Sequence, residues 1–313
     1  MNIENFLWCE EFRPKTIADC ILPERLSILF NDYVEKGFIP HLLLHGTAGV
    51  GKTTVAKALC EEIGCEYMVI NGSDESGIDT FRTKIKTYAS SMSLNGKKKV
   101  IIIDEADYLN PNSTQPALRN AMEEFSSNTT FIFTCNYKNK IIDPLHSRCA
   151  VVEFNLKPEE KTSIASSFFK RLQYILDNKG VDYDNGVLAE VVKKFFPDFR
   201  RTINEVQKYS SFGKIDTGIL AQVRNVNLDK LIGYIKNKDF GSIRKWVAVN
   251  EVDANTIFRQ IYDMLYDIME PSSVPQAVLV IADYMYKNAF CVDTEINLVA
   301  CLTELMINCE FKK

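Results

Sequence analysis

One nine-residue stretch does more than any other to limit the folds open to this chain. It runs GTAGVGKTT from Gly46 to Thr54 and fits the pattern G-x-x-x-x-G-K-T. An apolar run, His41–Leu44, precedes it, and a helical pattern over Lys52–Ile63 follows. Glycines let the backbone curl so that successive N–H groups point inward at phosphate oxygens, and the following helix presents its positive end to the same oxygens. The stretch therefore predicts a phosphate-binding loop between a strand and a helix; the alternative is an ordinary glycine turn.

Strand and helix patterns alternate through the first half of the chain. We predict strands at His41–Leu44, Glu66–Ile70, Val100–Ile103, Thr130–Thr134 and Ala150–Phe154. Helical patterns lie between them at Lys52–Ile63, Asp79–Ser90 and Ser113–Phe125. This alternation predicts an α/β P-loop domain with a parallel five-stranded sheet and helices on both faces.

The strand patterns stop after Phe154. A long helix begins after Lys157 and ends at Gly180, and two shorter helices are predicted near Gly186–Phe195 and Phe199–Ser210. From residue 228 onward every pattern is helical. We therefore divide the chain into an α/β domain over 1–156, a small helical domain over 157–226 and an all-α domain over 227–313.

The last predicted helix is apolar on two sides. One row holds Leu298, Leu302, Leu305 and Cys309, and a second holds Ile296, Val299 and Met306. A helix of this kind is usually buried on both sides. Two explanations stay open at this point: burial within one chain, or contact with another subunit.

Charge and cysteine content exclude several classes of protein. The formal net charge of −4 means that any nucleic-acid contact must come from a local basic patch. The nine cysteines include no C-x-x-C pair, so we expect reduced thiols. The longest apolar runs, such as Ala277–Ala282, are too short to span a bilayer, and the N-terminus lacks the basic residues of a signal peptide. We expect a cytoplasmic protein with no membrane contact.

A second segment carries the other half of a nucleotide site. An apolar strand within KKKVIIIDEAD ends at Asp104 and Glu105. We expect Thr53 and Asp104 to hold Mg²⁺, and Glu105 to polarise a water for attack on the γ-phosphate. Lys52 supplies positive charge to the terminal phosphates, and Asn136, at the end of the fourth strand, can orient the water. An acidic helix start and an ordinary loop asparagine are the respective alternatives.

Several segments together resemble one family, the AAA+ clamp loaders, including replication factor C small subunits and, more closely, T-even phage clamp-loader ATPases. The segments are EFRPKTIADCILP, LLLHGTAGVGKTT, NGSDESGIDTFRTKIKTYA, VIIIDEAD, QPALRNAMEEFSSN, TCN, PLHSRC and FPDFRRTI. The resemblance is strong from about Glu11 to Ser211 and weaker beyond. It implies an AAA+ domain, a helical lid and a helical collar.

The resemblance also implies roles for individual residues. Asn136 corresponds to sensor 1, Arg148 to an arginine finger that acts on the ATP of the neighbouring subunit, and Arg200 to the sensor-2 arginine. The expected catalytic set is Lys52, Glu105, Asn136 and Arg148. The expected nucleotide-binding set is Cys9, Glu10, Glu11, Phe12, Ile21, Gly49, Val50, Gly51, Lys52, Thr53, Thr54 and Arg200.

DNA and clamp contacts are expected at separate positions. Arg82 and Lys86 lie one turn apart on the second predicted helix and can meet successive phosphates, although a solvated basic face is the alternative. By the resemblance, Gln115 couples the DNA side to the ATP side, and Met92 and Leu94 insert into the clamp. Bacterial relatives carry a four-cysteine zinc module; only Cys60 and Cys65 lie near the loop here, so we expect no zinc.

The function implied by this resemblance is that of an ATPase subunit in a sliding-clamp loader. Its expected cofactors are ATP and Mg²⁺. Its expected partners are further copies of itself and one different subunit in a pentamer, the sliding clamp, and primer–template DNA. A phage-encoded chain would act in the host cytoplasm. Two alternatives remain: another AAA+ DNA-processing motor, for branch migration or helicase loading, and a non-hydrolysing scaffold subunit.

Overall fold

Five parallel strands form the sheet on which the first part of the chain is built, in the order β2-β3-β4-β1-β5. The strands are β1 Leu42–His45, β2 Tyr67–Asn71, β3 Lys99–Asp104, β4 Thr129–Cys135 and β5 Ala150–Glu153. The predicted parallel sheet is confirmed, with each strand end within about one residue of its expected place. Because β4 lies between β1 and β3, three loop-bearing strand ends are neighbours at one edge.

The computed structural model describes residues 7–74, 78–91, 93, 96–211, 213–216, 218–219, 228–250 and 253–312; it leaves the side chains of 78–81 and 229 undescribed. The chain divides into two compact units, Met1–Ala221 and Gln222–Lys313. The first unit contains both the α/β part and the small helical part. The expected boundary between those two parts, at 156 and 157, stays a prediction.

Alternating burial explains why the strands read as continuous apolar runs. Leu42 and Leu44 face one side of the sheet and join a cluster with helices, whereas Leu43 faces the other side and joins a second cluster. In β3, Ile102 and Ile103 divide in the same way. A parallel sheet with both faces covered needs apolar residues at every position, and this requirement removes the alternation seen in half-exposed strands.

Helices cover both faces of this sheet and build the small helical part. They are α1 Trp8–Glu11, α2 Glu24–Lys36, α3 Lys52–Ile63, α4 Ile78–Ser90, α5 Thr114–Glu124, α6 Asp143–His146, α7 Pro158–Lys179, α8 Asn185–Phe195 and α9 Phe199–Ser210. Short 3-10 turns occur at Ala106–Tyr108 and Lys138–Lys140. A two-stranded parallel sheet pairs β6 Asp182–Tyr183 with β7 Lys214–Ile215.

The long helix α7 has clear start and stop signals. The backbone N–H of Lys157 donates to the carboxylate of Glu160 across 2.9 Å, and Pro158 occupies the first helical position. The helix ends at Gly180, whose φ of +64° places it in the left-handed region that glycine favours. The predicted helix bounds are thus confirmed to within about one residue.

The second unit is helical over its described residues. It contains α10 Leu228–Lys236, α11 Phe240–Asn250, α12 Ala254–Ile268, α13 Val274–Asn288 and α14 Thr294–Asn308. The row of Leu298, Leu302 and Leu305 is buried in the core of this unit, and so is Met306 of the second row. Ile296 is 67% exposed, so burial within one chain accounts for most of the helix but not for that residue.

The helices of the second unit carry apolar residues to the extent that a packed helical domain requires. Within the described ranges, none of the helices combines the length and the apolar character that crossing a bilayer requires.

Candidate nucleotide-binding site

A cleft in the first unit gathers most of the predicted nucleotide-binding residues. Its walls come from the loop before α3, the ends of β3 and β4, the N-terminal segment, and helices α7 and α9. From the predicted set it brings together Cys9, Glu10, Phe12, Ile21, Gly49, Val50, Gly51, Lys52, Thr53, Thr54, Asp104, Glu105, Asn136 and Arg200. Glu11 does not line it and instead forms an ion pair with Lys179 at 2.7 Å.

Lys52 lies buried at the floor of the cleft. Its ammonium donates to the carbonyl oxygens of Gly46 and Thr47, at 2.7 and 2.8 Å, and to Oδ1 of Asn136 at 2.9 Å. Burial lowers the pKa of this lysine, and the nearby carboxylates of Asp104 and Asp107 act against that shift. The three acceptors hold the lysine beside the loop that would receive the phosphates.

The residues expected to hold Mg²⁺ are hydrogen-bonded to each other. The hydroxyl of Thr53 donates to Oδ1 of Asp104 across 2.8 Å, and the hydroxyl of Thr134 donates to the same oxygen. A hydroxyl and a carboxylate side by side are hard oxygen ligands of the kind that Mg²⁺ takes next to phosphate. The donor set therefore fits this ion.

Zinc is a separate question, which the geometry leaves as a prediction. Across the part of the chain that the structure describes, no cluster of three or more histidine, cysteine or acidic side chains could hold a metal. Cys60 is buried and Cys65 half-buried; burial raises the pKa of both thiols.

Glu105 adopts an unusual backbone conformation. Its φ of +55° is in the left-handed region, which costs a non-glycine residue about 1–2 kcal/mol. Its N–H donates to the hydroxyl of Thr134 at 3.3 Å. Gly72 makes room for this turn, because a Cβ there would lie 2.7 Å from the carbonyl oxygen of Glu105. Strain of this kind is typical of a functional residue that its surroundings hold in place.

Asp107 supports the loop that carries Asn136. It is buried, and its Oδ2 accepts the backbone N–H groups of Asn136 and Tyr137, each at 3.3 Å. The sequence prediction missed this role. Its signal was the last acid of DEAD, three residues after Asp104, but nothing in the sequence showed that it would meet the end of β4.

The first turn of α9 touches the phosphate-binding loop directly. The N–H of Phe199 donates to the carbonyl of Gly49 at 3.1 Å, and the carboxylate of Asp198 caps the helix by accepting the N–H of Arg201 at 2.9 Å. A Cβ on Gly49 would lie 1.9 Å from that carboxylate. Arg200, one residue into the helix, lines the cleft with an exposed side chain.

Another wall of the cleft joins the N-terminal segment to the helical part. Arg13 donates to the hydroxyl of Thr54 at 3.2 Å, and Arg171 of α7 donates to the carbonyl of Phe12 at 2.9 Å. Phe168 and Ile175 of α7 line the same wall. Arg171 was missed, although it lies within the helical apolar pattern that contains both of those residues.

Arg148 lies outside this cleft. Its guanidinium pairs with the carboxylate of Glu123 on α5, with Nε at 3.0 Å, and Nη1 donates to the carbonyl of Pro144 at 2.8 Å. An arginine finger that acts on the ATP of a neighbour must lie away from the ATP site of its own chain. This placement agrees with the predicted role, which stays a prediction.

The predicted DNA residues differ in exposure. Arg82 and Lys86 are both exposed on α4. Gln115, in contrast, is fully buried. Its amide donates to the carbonyls of Leu109 and Lys140 at 3.0 and 2.9 Å and accepts the N–H of Ile142 at 2.8 Å. A side chain buried and hydrogen-bonded in this way can influence DNA only through its neighbours, so the coupling role of Gln115 stays a prediction. Met92 and Leu94 lie outside the described residues.

Comparison with known proteins agrees with this geometry. Residues 42–156 match the model of the ATPase family associated with various cellular activities (AAA). Residues 160–221 match the model named sliding-clamp-loader large subunit, AAA+ ATPase lid domain. The sliding-clamp-loader large subunit of Escherichia phage RB69 is 41% identical, with 87% of this chain and 86% of the relative covered. The chain belongs to the sliding-clamp-loader large subunits.

Other members and neighbours extend the comparison. The sliding-clamp-loader large subunit of Enterobacteria phage T4 is 36% identical over 100% of this chain and 99% of its own length. The replication factor C small subunit of Methanosphaera stadtmanae is 30% identical over 89% of each chain. A point mutant of Thermotoga maritima RuvB superposes with a TM-score of 0.56 at 21% identity, over 81% of this chain and 88% of that one. That likeness supports the AAA+ fold alone.

Proposed function

We propose that this AAA+ ATPase is a subunit of a loader that places a sliding clamp on primer–template DNA during replication. One observation carries the proposal. The cleft holds Lys52, Thr53, Asp104, Glu105 and Asn136 together, while Arg148 of the same chain is held elsewhere by Glu123. This placement supports an ATP site to which a neighbouring subunit contributes the finger arginine.

The residues of the cleft have distinct tasks in hydrolysis. Lys52 leaves its three oxygen acceptors and binds the terminal phosphates, which frees Asn136 to orient a water. Glu105 accepts the proton of that water. Thr53 and Asp104 would hold Mg²⁺, which supplies charge neutralisation at the phosphate oxygens.

Arg148 and Arg200 couple nucleotide binding to the conformation of the assembly. The first is permanently charged and can meet two phosphate oxygens of the neighbour's ATP at once. The second sits on α9, whose first turn already contacts the phosphate loop at Gly49. A ligand shifts a conformational equilibrium only through differential contacts, and these two arginines supply them for a closed ring.

The remaining partners follow from the surface and from the family. Arg82 and Lys86 would contact DNA phosphates, which position without reading sequence. The assembly would be a pentamer of further copies and one different subunit, acting in the host cytoplasm. Leu279, Tyr286 and Phe290 of the second unit, each at least 67% exposed, offer apolar surface for a collar. Met92 and Leu94 remain the proposed clamp contact. ATP is the proposed nucleotide, and we expect no zinc.

The earlier alternatives are not favoured. A branch-migration motor shares the ATP residues, but the lid segment matches the clamp-loader model and the likeness to RuvB is one of fold. A scaffold subunit has no need of Lys52, Glu105 and Arg148 in one chain.

The deciding experiment is steady-state ATP hydrolysis by the chain with its partner subunit. Turnover is measured for the protein and its partner subunit alone, with primed DNA, with clamp, and with both. We expect strong synergy between clamp and DNA, lost in Arg148→Ala. Glu105→Gln should bind ATP and lose turnover by roughly 10²- to 10⁴-fold. Turnover that ignores the clamp would assign the ATPase to another machine.

A further inference from the structure

The ion pair between Arg148 and Glu123 is a surface pair. The side chains are 34% and 59% exposed, and nothing in the described structure encloses them. Exposed pairs of this kind contribute little to stability. The contact can therefore be exchanged for another at small cost. It holds the arginine against α5 of its own chain until a stronger anionic partner binds the guanidinium.

A second charged side chain, Lys140, has no carboxylate as an ion-pair partner among the described residues. The ammonium of Lys140 lies 5.7 Å from the ring centre of Tyr108 and 5.1 Å from that of Tyr137. No acidic side chain of the described residues forms a salt bridge with it. Both rings are more than half exposed, at 64% and 60%. Exposed aromatic rings are enriched at contact surfaces, and the lysine adds a charge that can select a complementary partner.

The cluster of Tyr108, Tyr137 and Lys140 follows two residues that line the ATP cleft, Glu105 and Asn136, within four positions along the chain. Tyr137 directly follows Asn136, and Tyr108 comes three residues after Glu105. The backbone beneath it is fixed, because Gln115 binds the carbonyl of Lys140 and Asp107 binds the N–H of Tyr137. The backbone that carries the lysine is therefore held in place next to Asn136.

The arrival of a neighbour brings the two features together. An arginine finger must end beside the γ-phosphate, close to Glu105 and Asn136 of the receiving chain. Its Glu123 travels with it at hydrogen-bond distance. When the arginine turns to phosphate, that glutamate loses its partner close to the segment after Asn136 that carries Lys140.

We propose that Glu123 of one copy pairs with Lys140 of the next copy, replacing the pair that Glu123 makes with Arg148 in the free chain. The occupant of the cluster is thus a second copy of this chain, selected by charge complementarity. The inference rests on the proposed trans role of Arg148. No charge is left unpaired in the exchange, since the guanidinium goes to phosphate and the carboxylate to the ammonium.

Charge reversal and rescue test the pair. Glu123→Lys and Lys140→Glu are made singly and together in the full chain with its partner subunit. ATP-dependent assembly is followed by sedimentation velocity, and turnover is measured without clamp or DNA. We expect each single variant to lose about tenfold or more in both, because like charges then meet at the interface. The double variant should recover most of the loss, since the pair is restored with its signs exchanged.

Two neighbouring residues provide matched controls. Glu124→Lys and Lys138→Glu make the same charge changes one and two positions away, on exposed side chains. We expect both to stay within about twofold of the parent protein. Equal losses in these controls would overturn the pair in favour of a general field effect.

The remaining outcomes also decide. Single losses without recovery in the double variant overturn the pair. If Lys140→Glu instead lowers affinity for a DNA duplex, measured by fluorescence anisotropy, and leaves assembly intact, the cluster is a nucleic-acid contact and the proposal fails. Recovery in the double variant supports the pair even when clamp and DNA do not stimulate turnover, a result that would overturn only the clamp-loading function.

Discussion

Lys52 and Asn136 are hydrogen-bonded to one another, with Nζ and Oδ1 2.9 Å apart. The residue that meets phosphate and the residue expected to orient water are thus joined before nucleotide enters. Because all three N–H donors of the ammonium are in use, binding the terminal phosphates requires it to give up acceptors, and we expect Asn136 to be one of them. Asn136 then becomes available at the moment when a water needs to be placed.

Replacing Asn136 by alanine should separate binding from turnover. We expect ATP affinity to be unchanged or slightly higher, because Lys52 has one competitor fewer. Turnover should fall by about 10²-fold, the loss typical of one oriented polar group at a reacting centre. Calorimetric titration of ATP and steady-state hydrolysis measure the two effects. Asn139→Ala, on the exposed turn that follows, is the control; an equal loss there would argue against the assignment.

Gly49→Ala should damage the contact between the phosphate loop and α9. A methyl group would lie 1.9 Å from the carboxylate of Asp198, and the φ of +75° already disfavours alanine. Gly180→Ala has a similar φ of +64° with open space around it, so it reports the backbone cost alone, about 1–2 kcal/mol. We expect the Gly49 variant to lose more in thermal unfolding, and also to lose ATP affinity. Equal unfolding losses would mean that the clash is relieved by local movement.

Gln115→Ala should be costly although the residue touches neither ATP nor an exposed surface. It leaves three backbone groups without their partner: that of Leu109, which is buried, and those of Lys140 and Ile142, which are part-buried. Each unsatisfied group costs about 1–3 kcal/mol when water cannot reach it. Denaturant unfolding measures the loss. Gln173→Ala, which removes one exposed bond to Asn185, should change stability by less than about 1 kcal/mol.

His41 should make the first unit sensitive to mild acid. Its Nδ1 accepts the N–H of Phe131 at 3.0 Å, so the folded state requires neutral imidazole at that atom. Burial, with help from the charge of Lys98, lowers the pKa of His41 below its ordinary 6.5. The unfolded chain then binds the proton more readily, so stability is full above pH 6.5 and is lost as pH falls from there through the folded pKa.

The readout for His41 is the unfolding temperature at two values of pH, one above and one below its ordinary pKa. We expect the decrease on acidification to be smaller in His41→Asn by roughly 1–3 °C, because asparagine keeps an acceptor and does not titrate there. An identical decrease in both proteins would mean that other groups account for it.

Local patterns predicted the elements and the chemistry of the loop ends well. The helix over Lys52–Ile63 and that over Phe199–Ser210 have the expected bounds, because glycine, acids and apolar spacing mark them within the segment itself. The meeting of Lys52, Asp104 and Asn136 was also predictable. Parallel strands deliver their carboxyl ends to one edge, so three loops identified separately had to converge.

What the sequence did not reveal depends on how separate layers meet. Arg171 is one residue among many on a 22-residue helix, and only the packing of α7 against the N-terminal segment brings it to the cleft. Asp107 and Asp198 look like ordinary acids near helix starts. Their contacts, with the end of β4 and with Gly49, join positions 29 and 149 residues apart, which no local pattern records.

The bond from the N–H of Phe199 to the carbonyl of Gly49 involves only main-chain atoms, and this has a consequence for sequence variation. Most substitutions at position 199 leave the bond untouched, so the register between α9 and the phosphate loop can survive drift in the side chains around it. Proline is the exception. The first position of a helix is ordinarily where proline is harmless, since the N–H there has no partner to lose. Here that N–H is in use, so a change that helix statistics would rate as benign would break this contact between α9 and the phosphate-binding loop.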